Sequence, residues 1–479
     1  MYRKPARLGQ LAPLIGLATM SIPLIWFAKP VHSGGFALIE HGASGLGHAY
    51  AGAAAVSADT STVWFNPAGM SEIKGREVSV ALHVLSTGTE FENEGTRLAF
   101  SLGGDEISGP DTASPGTQTV LPNFYYVAPI NEQWSYGLSI GVPFGSATEY
   151  DSNWVGRYTT VESGINVVDI NPAVSFQVSD KVRLGFGISV QQLSAELGSS
   201  IDSGAVCASF AANANSSISG ADCINQGLTP GVLANDSTGE ITGDSTAVGF
   251  NLGALFLPTQ GVKLGVAYRH SIDHELDGDV DYGVNAALRA TLDSDVGAAA
   301  PASQGLFMNG PATAEVKLPA MLSFSGAWQV NDKVELLSDL TWTGWSSFQQ
   351  LLVEYDNPVQ PETLSIQAWE DVLRFSAGVN FNYSPRLVLR AGYAFDEEAI
   401  PGPGQRTARI PGNDRTWLTF GVGYQVSNQF SFDIGYAHIM LDETAIDNLN
   451  AETRGGAVVR GNYDPVIDIL SAQINYDFN

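Results

Sequence analysis

The strongest constraint on this chain is a two-residue rhythm that begins near residue 76 and continues to the C-terminus. In Val182–Val190 the even positions are Val182, Leu184, Phe186, Ile188 and Val190, with Arg183, Gly185, Gly187 and Ser189 between them. In Leu373–Tyr383 the odd positions carry Leu373, Phe375, Ala377, Val379, Phe381 and Tyr383. Leu418–Val426, Phe430–Met440 and Leu470–Phe478 repeat the pattern. Successive side chains of a strand point to opposite faces, so each segment has one oily face and one small or polar face. A soluble sandwich would alternate in the same way, so the connections have to decide. Six turns are tight: Asn131-Glu132-Gln133, Ser179-Asp180-Lys181, Pro258–Gly261, Asn331-Asp332-Lys333, Ser384-Pro385-Arg386 and Ser427-Asn428-Gln429. Between them lie long polar segments near 92–117, 145–166, 199–245, 281–311, 350–371, 397–414 and 442–464. Short and long connections therefore alternate, as in outer-membrane barrels with short periplasmic turns and long external loops. Six turns join twelve strands. One strand near Arg76–Phe91 precedes them and Val466–Phe478 follows. The expectation is an all-β, 14-stranded antiparallel transmembrane barrel over residues 76–479, closed because an open sheet edge in hydrocarbon would leave backbone groups unpaired.

The first 75 residues do not share the rhythm. Arg3, Lys4 and Arg7 precede an apolar run, Leu11–Ala28, and Val31-His32-Ser33 offers a cleavage site before Gly34. Residues 1–33 read as a signal peptide. An uncleaved anchor is the alternative, but Pro13 and Pro23 interrupt the run. Beyond it no stretch of 18 apolar residues occurs, so any span must be β. Residues 34–75 are rich in Gly and Ala, yet they carry Phe36, Leu38, Tyr50, Val63, Trp64 and Phe65. A solvated tail rarely holds so many apolar groups, and the sheltered place for such a segment is the barrel lumen, as a plug. Small inward residues on the strands would make room for it.

Composition narrows the function. Acids outnumber bases 50 to 23 with no basic patch, which argues against nucleic acid. The acids fall mainly in the expected external loops, where contact with lipopolysaccharide through divalent cations is one reading. Cys207 and Cys223 share one long external loop and, in an exported chain, are expected to pair as a disulfide. The nearby Val206–Ala212 reads as a short helix. His270 and His274 are four apart on an expected strand, too far to share a metal. Catalytic motifs are lacking, so no catalytic residue, cofactor or metal is expected, although barrel-embedded lipid enzymes exist. A plain diffusion porin is the other rival, and would begin directly with a strand.

The stretch GGFALIEHGASGLGHAYAGAAAVSADTSTVWFNPAGM resembles the N-terminal hatch of the FadL-type long-chain fatty acid transporters, a family that includes toluene and xylene uptake proteins. WVGRY at 154–158, RIPGNDRTWLTFGVGYQ at 409–425 and SFDIGYAHIM at 431–440 extend the likeness over the whole mature chain. The resemblance implies a Gram-negative outer-membrane barrel that takes up hydrophobic molecules passively. Ligand would be caught among the loops, held inside the barrel and released sideways into the bilayer through an inward kink in the third strand. It further implies a monomer whose partners are a long-chain fatty acid or other hydrophobic molecule and the surrounding lipid. Alkanes or aromatic hydrocarbons are the alternative cargo.

The same likeness assigns candidate residues. Phe36 and the Asn66-Pro67-Ala68 element map to the hatch, with the latter expected to face the kink. Asn171-Pro172-Ala173 recurs in a strand, so the tripeptide alone is weak. The third strand, Trp134–Phe144, places Ser135, Gly137, Ser139, Gly141 and Pro143 inward, and Gly141 with Pro143 suits a kink, since proline cannot donate to the ladder. A buried carboxylate needs a cation, and arginine binds it with two parallel hydrogen bonds. Arg157, Arg409 and Arg415 are the candidates, with Arg374 and Arg390 behind them. Each could instead pair with a lumen acid such as Asp396 or Asp414.

Overall fold

A computed structural model describes residues 35–212, 218–294, 304–448 and 456–478. The expected signal peptide lies outside the described residues. Fourteen antiparallel strands follow in chain order: β1 (Glu77–Asn93), β2 (Gln118–Pro129), β3 (Trp134–Glu149), β4 (Glu162–Ser179), β5 (Val182–Ile201), β6 (Ser237–Thr259) and β7 (Val262–Arg269, resuming at Ile272–Gly283). Then come β8 (Gly310–Leu318, resuming at Met321–Asn331), β9 (Val334–Thr343), β10 (Val372–Ser384), β11 (Leu387–Asp396), β12 (Arg415–Gln425), β13 (Phe430–Leu441) and β14 (Arg460–Asp477). Each pairs with its neighbours, and β1 closes on β14 from Glu77 opposite Asp477 to Asn93 opposite Gly461. No described helix is long and apolar enough to cross a membrane.

The six tight turns lie where the sequence places them, and the even strand count keeps both ends of the wall on the turn side. Strands on the loop side run further than their hydrophobic pattern. β3 continues to Glu149 and β5 to Ile201, because ladder bonding continues after the outward side chains turn polar. The outward residues are exposed and apolar where lipid would cover them, as at Leu184, Phe186 and Ile188, with aromatics such as Trp134, Trp328, Tyr383 and Tyr476 toward the turn-side rim. Outside the wall, Cys207 and Cys223 form a disulfide between the helices Ser203–Ala211 and Gly220–Asn225. Leu288 and Leu292 of the helix Ala286–Asp293 pack in the same cluster. Closing a loop of this size stabilises it by about 3 kcal/mol in the chain-entropy model.

Residues from Gly35 to Ile73 are almost wholly buried and touch the inner wall on many sides. The contact is backbone to backbone, and inward glycines make it possible. A methyl on Gly185 (β5) would lie 2.2 Å from the Ala68 nitrogen, and one on Gly265 (β7) 1.9 Å from the Ala54 carbonyl oxygen. At Gly392 (β11) and Gly435 (β13) it would meet His48 and Ala43 at 2.3 and 2.6 Å. Asn66 fixes the seat: its side-chain amide donates to the carbonyls of Ala54 at 2.6 Å and Ala254 of β6 at 3.0 Å. Its Oδ1 accepts from the Ala68 N–H and caps the 3-10 turn Pro67–Glu72. Substituting Gly185→Ala is expected to displace the N-terminal segment at a cost of about 1–3 kcal/mol while the barrel still closes. Limited proteolysis would then cut residues 35–75 in a heat-modifiable barrel, whereas Gly310→Ala, with nothing within 4 Å, should leave them protected.

Candidate functional site

The wall has a break at β3. β2 and β3 pair from Pro129 opposite Ser135 to Phe124 opposite Ile140, and no further. β3 continues along β4 to Glu149, with a register shift between Gly141 and Phe144. Burial records the turn inward: Tyr136 is 43% exposed, but Val142 and Phe144 are 3% and 2% exposed. Gly141 and Pro143 sit at this break. The edge released from β2 is bonded by the N-terminal segment instead. Ala37 bridges Phe144, the Leu38 N–H donates to the Pro143 carbonyl at 2.8 Å, and the Gly145 N–H donates to the Phe36 carbonyl at 2.8 Å. Asn123 of β2 donates to the Glu40 carbonyl at 2.8 Å, tying the same strap to the other side of the gap.

The hatch tripeptide and the kink are linked less directly than the strap and the kink. Asn66-Pro67-Ala68 is seated against β5, β6 and β7 through Gly185, Gly253 and the Ala254 carbonyl, and Pro67 borders the same space as Pro143 at the kink without bonding the β3 edge. The residues that bond the β3 edge at the kink are Phe36–Leu38. Only strands with inward glycines let a capped turn approach closely enough for Asn66 to reach wall carbonyls.

Above the strap lies an apolar cavity of about 850 Å³, its mouth included. Phe36 forms part of its floor, packed edge-on against Trp345 at 4.7 Å and close to Phe348 and Trp369 at 5.8 and 5.7 Å. Ile165, Leu197, Ile241, Leu276 and Val316 supply the walls from β4 to β8, and Ile410 comes from the loop before β12. Among the described residues Arg409 is the one charged residue lining it. Its guanidinium donates to the Thr160 hydroxyl and Glu162 carbonyl, both at 3.2 Å, and to the Thr159 carbonyl at 2.8 Å. Three of five donors are thus used. Burial lowers its pKa to about 10, so it remains a cation at neutral pH.

The other sequence candidates have different surroundings. Arg157 is fully buried among the external loops, paired with Asp236 at 2.6 Å. Its remaining donors reach the carbonyls of Ser108, Trp154 and Gly231 and the Tyr158 hydroxyl. It clamps three loops and does not line the apolar cavity. Arg415 stands 3.8 Å from Asp396 and shares its level on the wall with Arg374, which donates to the Ala49 carbonyl at 3.1 Å. Arg390 pairs with Asp433 at 2.7 Å. His270 lies in the β7 interruption and His274 points inward, so they do not meet. Among the described residues no cluster suited to a metal occurs.

Sequence reasoning passed over Glu40. It is buried in the strap region, with Arg374, Arg415 and Asp396 acting on it from β10, β12 and β11. Burial outweighs the two arginines and raises its carboxyl to about 7. Because the seated value is raised, its stabilising contribution is complete below the ordinary value near 4.5 and is lost as pH rises through about 7. Seating of residues 35–50 should therefore weaken by about 2 kcal/mol between pH 5 and pH 8 relative to a Glu40→Gln variant. Hydrogen exchange of these residues in both proteins at both pH values measures it; the buried His41 and His48 are common to both and cancel.

A closed barrel with a plugged lumen, a greasy pocket and a covered break in its wall is suited to hydrophobic molecules. Residues 24–478 match the family described as outer membrane protein transport protein (OMPP1/FadL/TodX), and the chain belongs to it. It is 24% identical over 432 residues to the long-chain fatty acid transport protein of Escherichia coli K12, covering 88% of this chain and 91% of that protein. It is 26% identical over 435 residues to outer membrane protein P1 of Haemophilus influenzae, covering 88% and 89%. The crystal structure of a Pseudomonas aeruginosa FadL homologue superposes with a TM-score of 0.81 at 25% identity, covering 93% of this chain and all of the other. The Pseudomonas putida toluene transporter TodX shares the fold at a TM-score of 0.59 and 17% identity, covering 88% and 94%.

Proposed function

We propose that this barrel takes up long-chain fatty acids and releases them sideways into the outer membrane, with Arg409 meeting the carboxylate and residues 34–75 acting as the hatch. The observation that carries this reading is a cavity whose walls are apolar and whose single charge, among the described residues, is a cation with unused donors. Relatives include transporters of long-chain fatty acid and of toluene, and a neutral hydrocarbon would need no such cation. The route follows from cost. Each methylene resists water by about 0.8 kcal/mol, so a long tail entering the periplasm would lose ~10 kcal/mol or more. Leaving through the gap beside Gly141 and Pro143 keeps it in oil. For that, the Phe36–Leu38 strap must release the β3 edge, and Phe36 must leave the cavity floor. One barrel holds the whole route, so the working unit is a monomer, its acidic loops facing lipopolysaccharide.

Mass spectrometry of lipid that co-purifies with the detergent-extracted protein tests the head-group assignment. Fatty acid should be recovered from the wild type and fall at least tenfold with Arg409→Gln. Neutral hydrocarbon in its place, or fatty acid retained by the variant, would overturn the assignment.

A further inference from the structure

A second cavity of about 630 Å³ lies beneath the first. Four strands agree on the order. The upper cavity touches Ser146, Gly243, Leu276 and Val316; the lower touches Pro143, Asn251, Arg269 and Met321, in each case further toward the turn side of β3, β6, β7 and β8. The strap is the partition, with Phe36 in the upper lining and Leu38 in the lower. The lower cavity therefore adjoins Pro143, at the break in the wall.

Its lining is more polar than that of the first: Asn251, Ser323, Thr341 and Asp339 border it, and the Asp339 carboxyl accepts from the Ser325 and Thr341 hydroxyls. Leu38, Ile39, Phe65 and Met321 are apolar, and Arg269, 7% exposed, lies with its guanidinium carbon 3.3 Å from the Trp64 ring centre. His41 stacks on the same indole at 4.2 Å. The guanidinium donates to the Ser189 hydroxyl at 2.8 Å and the Trp64 carbonyl at 3.1 Å, which uses two of its five donors. It has no ion pair within 4 Å among the described residues; Asp169 of β4 acts on it from further away. A buried cation held flat on an aromatic face, with donors to spare beside a space that Leu38, Ile39, Phe65 and Met321 make apolar on one side, is suited to a carboxylate with a tail.

We infer that the lower cavity is a second binding station for an anionic amphiphile, at which Arg269 receives the carboxylate handed down from Arg409 before the tail leaves past Pro143. This rests on the fatty acid reading above. It makes the barrel a relay of two cations with the strap between them, so that the head group is never stranded in an apolar space while the tail advances. Neutral cargo gains nothing from Arg269, and its delivery should not depend on that residue.

The test compares oleate with 1-octadecene, using the full-length protein in proteoliposomes, with oleate affinity measured separately. Arg269→Gln should keep oleate affinity within twofold, slow oleate delivery at least tenfold and leave octadecene delivery within twofold; Arg269→Lys should recover part of the oleate rate. Equal slowing of both cargoes, or no slowing of oleate, would overturn the inference. Because Arg269 also holds the Trp64 carbonyl, Met321→Trp provides a second variant that fills the cavity and leaves every arginine in place. It should slow delivery of oleate while binding persists, and unchanged delivery would overturn the inference as well. A wild type that binds no oleate, or an Arg409→Gln variant that binds it normally, would instead overturn the underlying reading and this inference with it.

Discussion

Hydrocarbon offers a backbone no hydrogen-bonding partner, and every strand edge in a membrane must therefore be covered. Most of this wall satisfies the rule by closing β1 on β14. At β3 it is satisfied differently. Beyond Ile140 the strand leaves β2, and two of the hydrogen bonds it would have made are supplied by Phe36 and Leu38. The break in the wall and the lumen segment thus depend on each other. A strap held by the two backbone bonds of one β-bridge, the Asn123 amide and an aromatic cluster is a cover that can be removed; a full strand ladder is not.

The charges inside the barrel divide by what surrounds them. Arg157 and Arg390 are paired with acids, Arg157 with all five donors used, and their removal would strand an acid. Arg409 and Arg269 have no ion pair within 4 Å among the described residues and each borders a cavity with donors unspent, the first apolar and the second also bordered by Asp339. Glu40 lies between these groups in position and in character. It sits on the segment that would have to move, and its ionisation weakens the seating.

Much of this architecture was legible in the sequence because it is periodic. The outward rhythm of β5 or β10 and the six tight turns determine the strand count and orientation without any knowledge of tertiary contacts. Inward glycines such as Gly185 could be read as space, and Gly141 with Pro143 as a place where a ladder is hard to continue. What was not legible depends on the third dimension. Nothing local shows that Asn66 reaches the Ala254 carbonyl, 188 residues away, or that Phe36–Leu38 bonds β3. Arginines in family-like stretches looked equivalent, yet Arg157 is consumed by loops that meet only in the fold. Arg269 carried one weak signal: a guanidinium ends the small inward series Gly265 and Ala267 on β7.

The central claim is that the strap must leave the β3 edge for cargo to pass. Ala37 and Phe144 are a directly opposed antiparallel pair without mutual backbone hydrogen bonds, where the Cα atoms are close enough for a disulfide. An Ala37→Cys/Phe144→Cys double variant should deliver oleate when reduced and lose delivery at least tenfold when oxidised. The wild type, whose Cys207–Cys223 bond responds to the same reagents, serves as the control. Undiminished delivery by the oxidised, cross-linked protein would contradict the account.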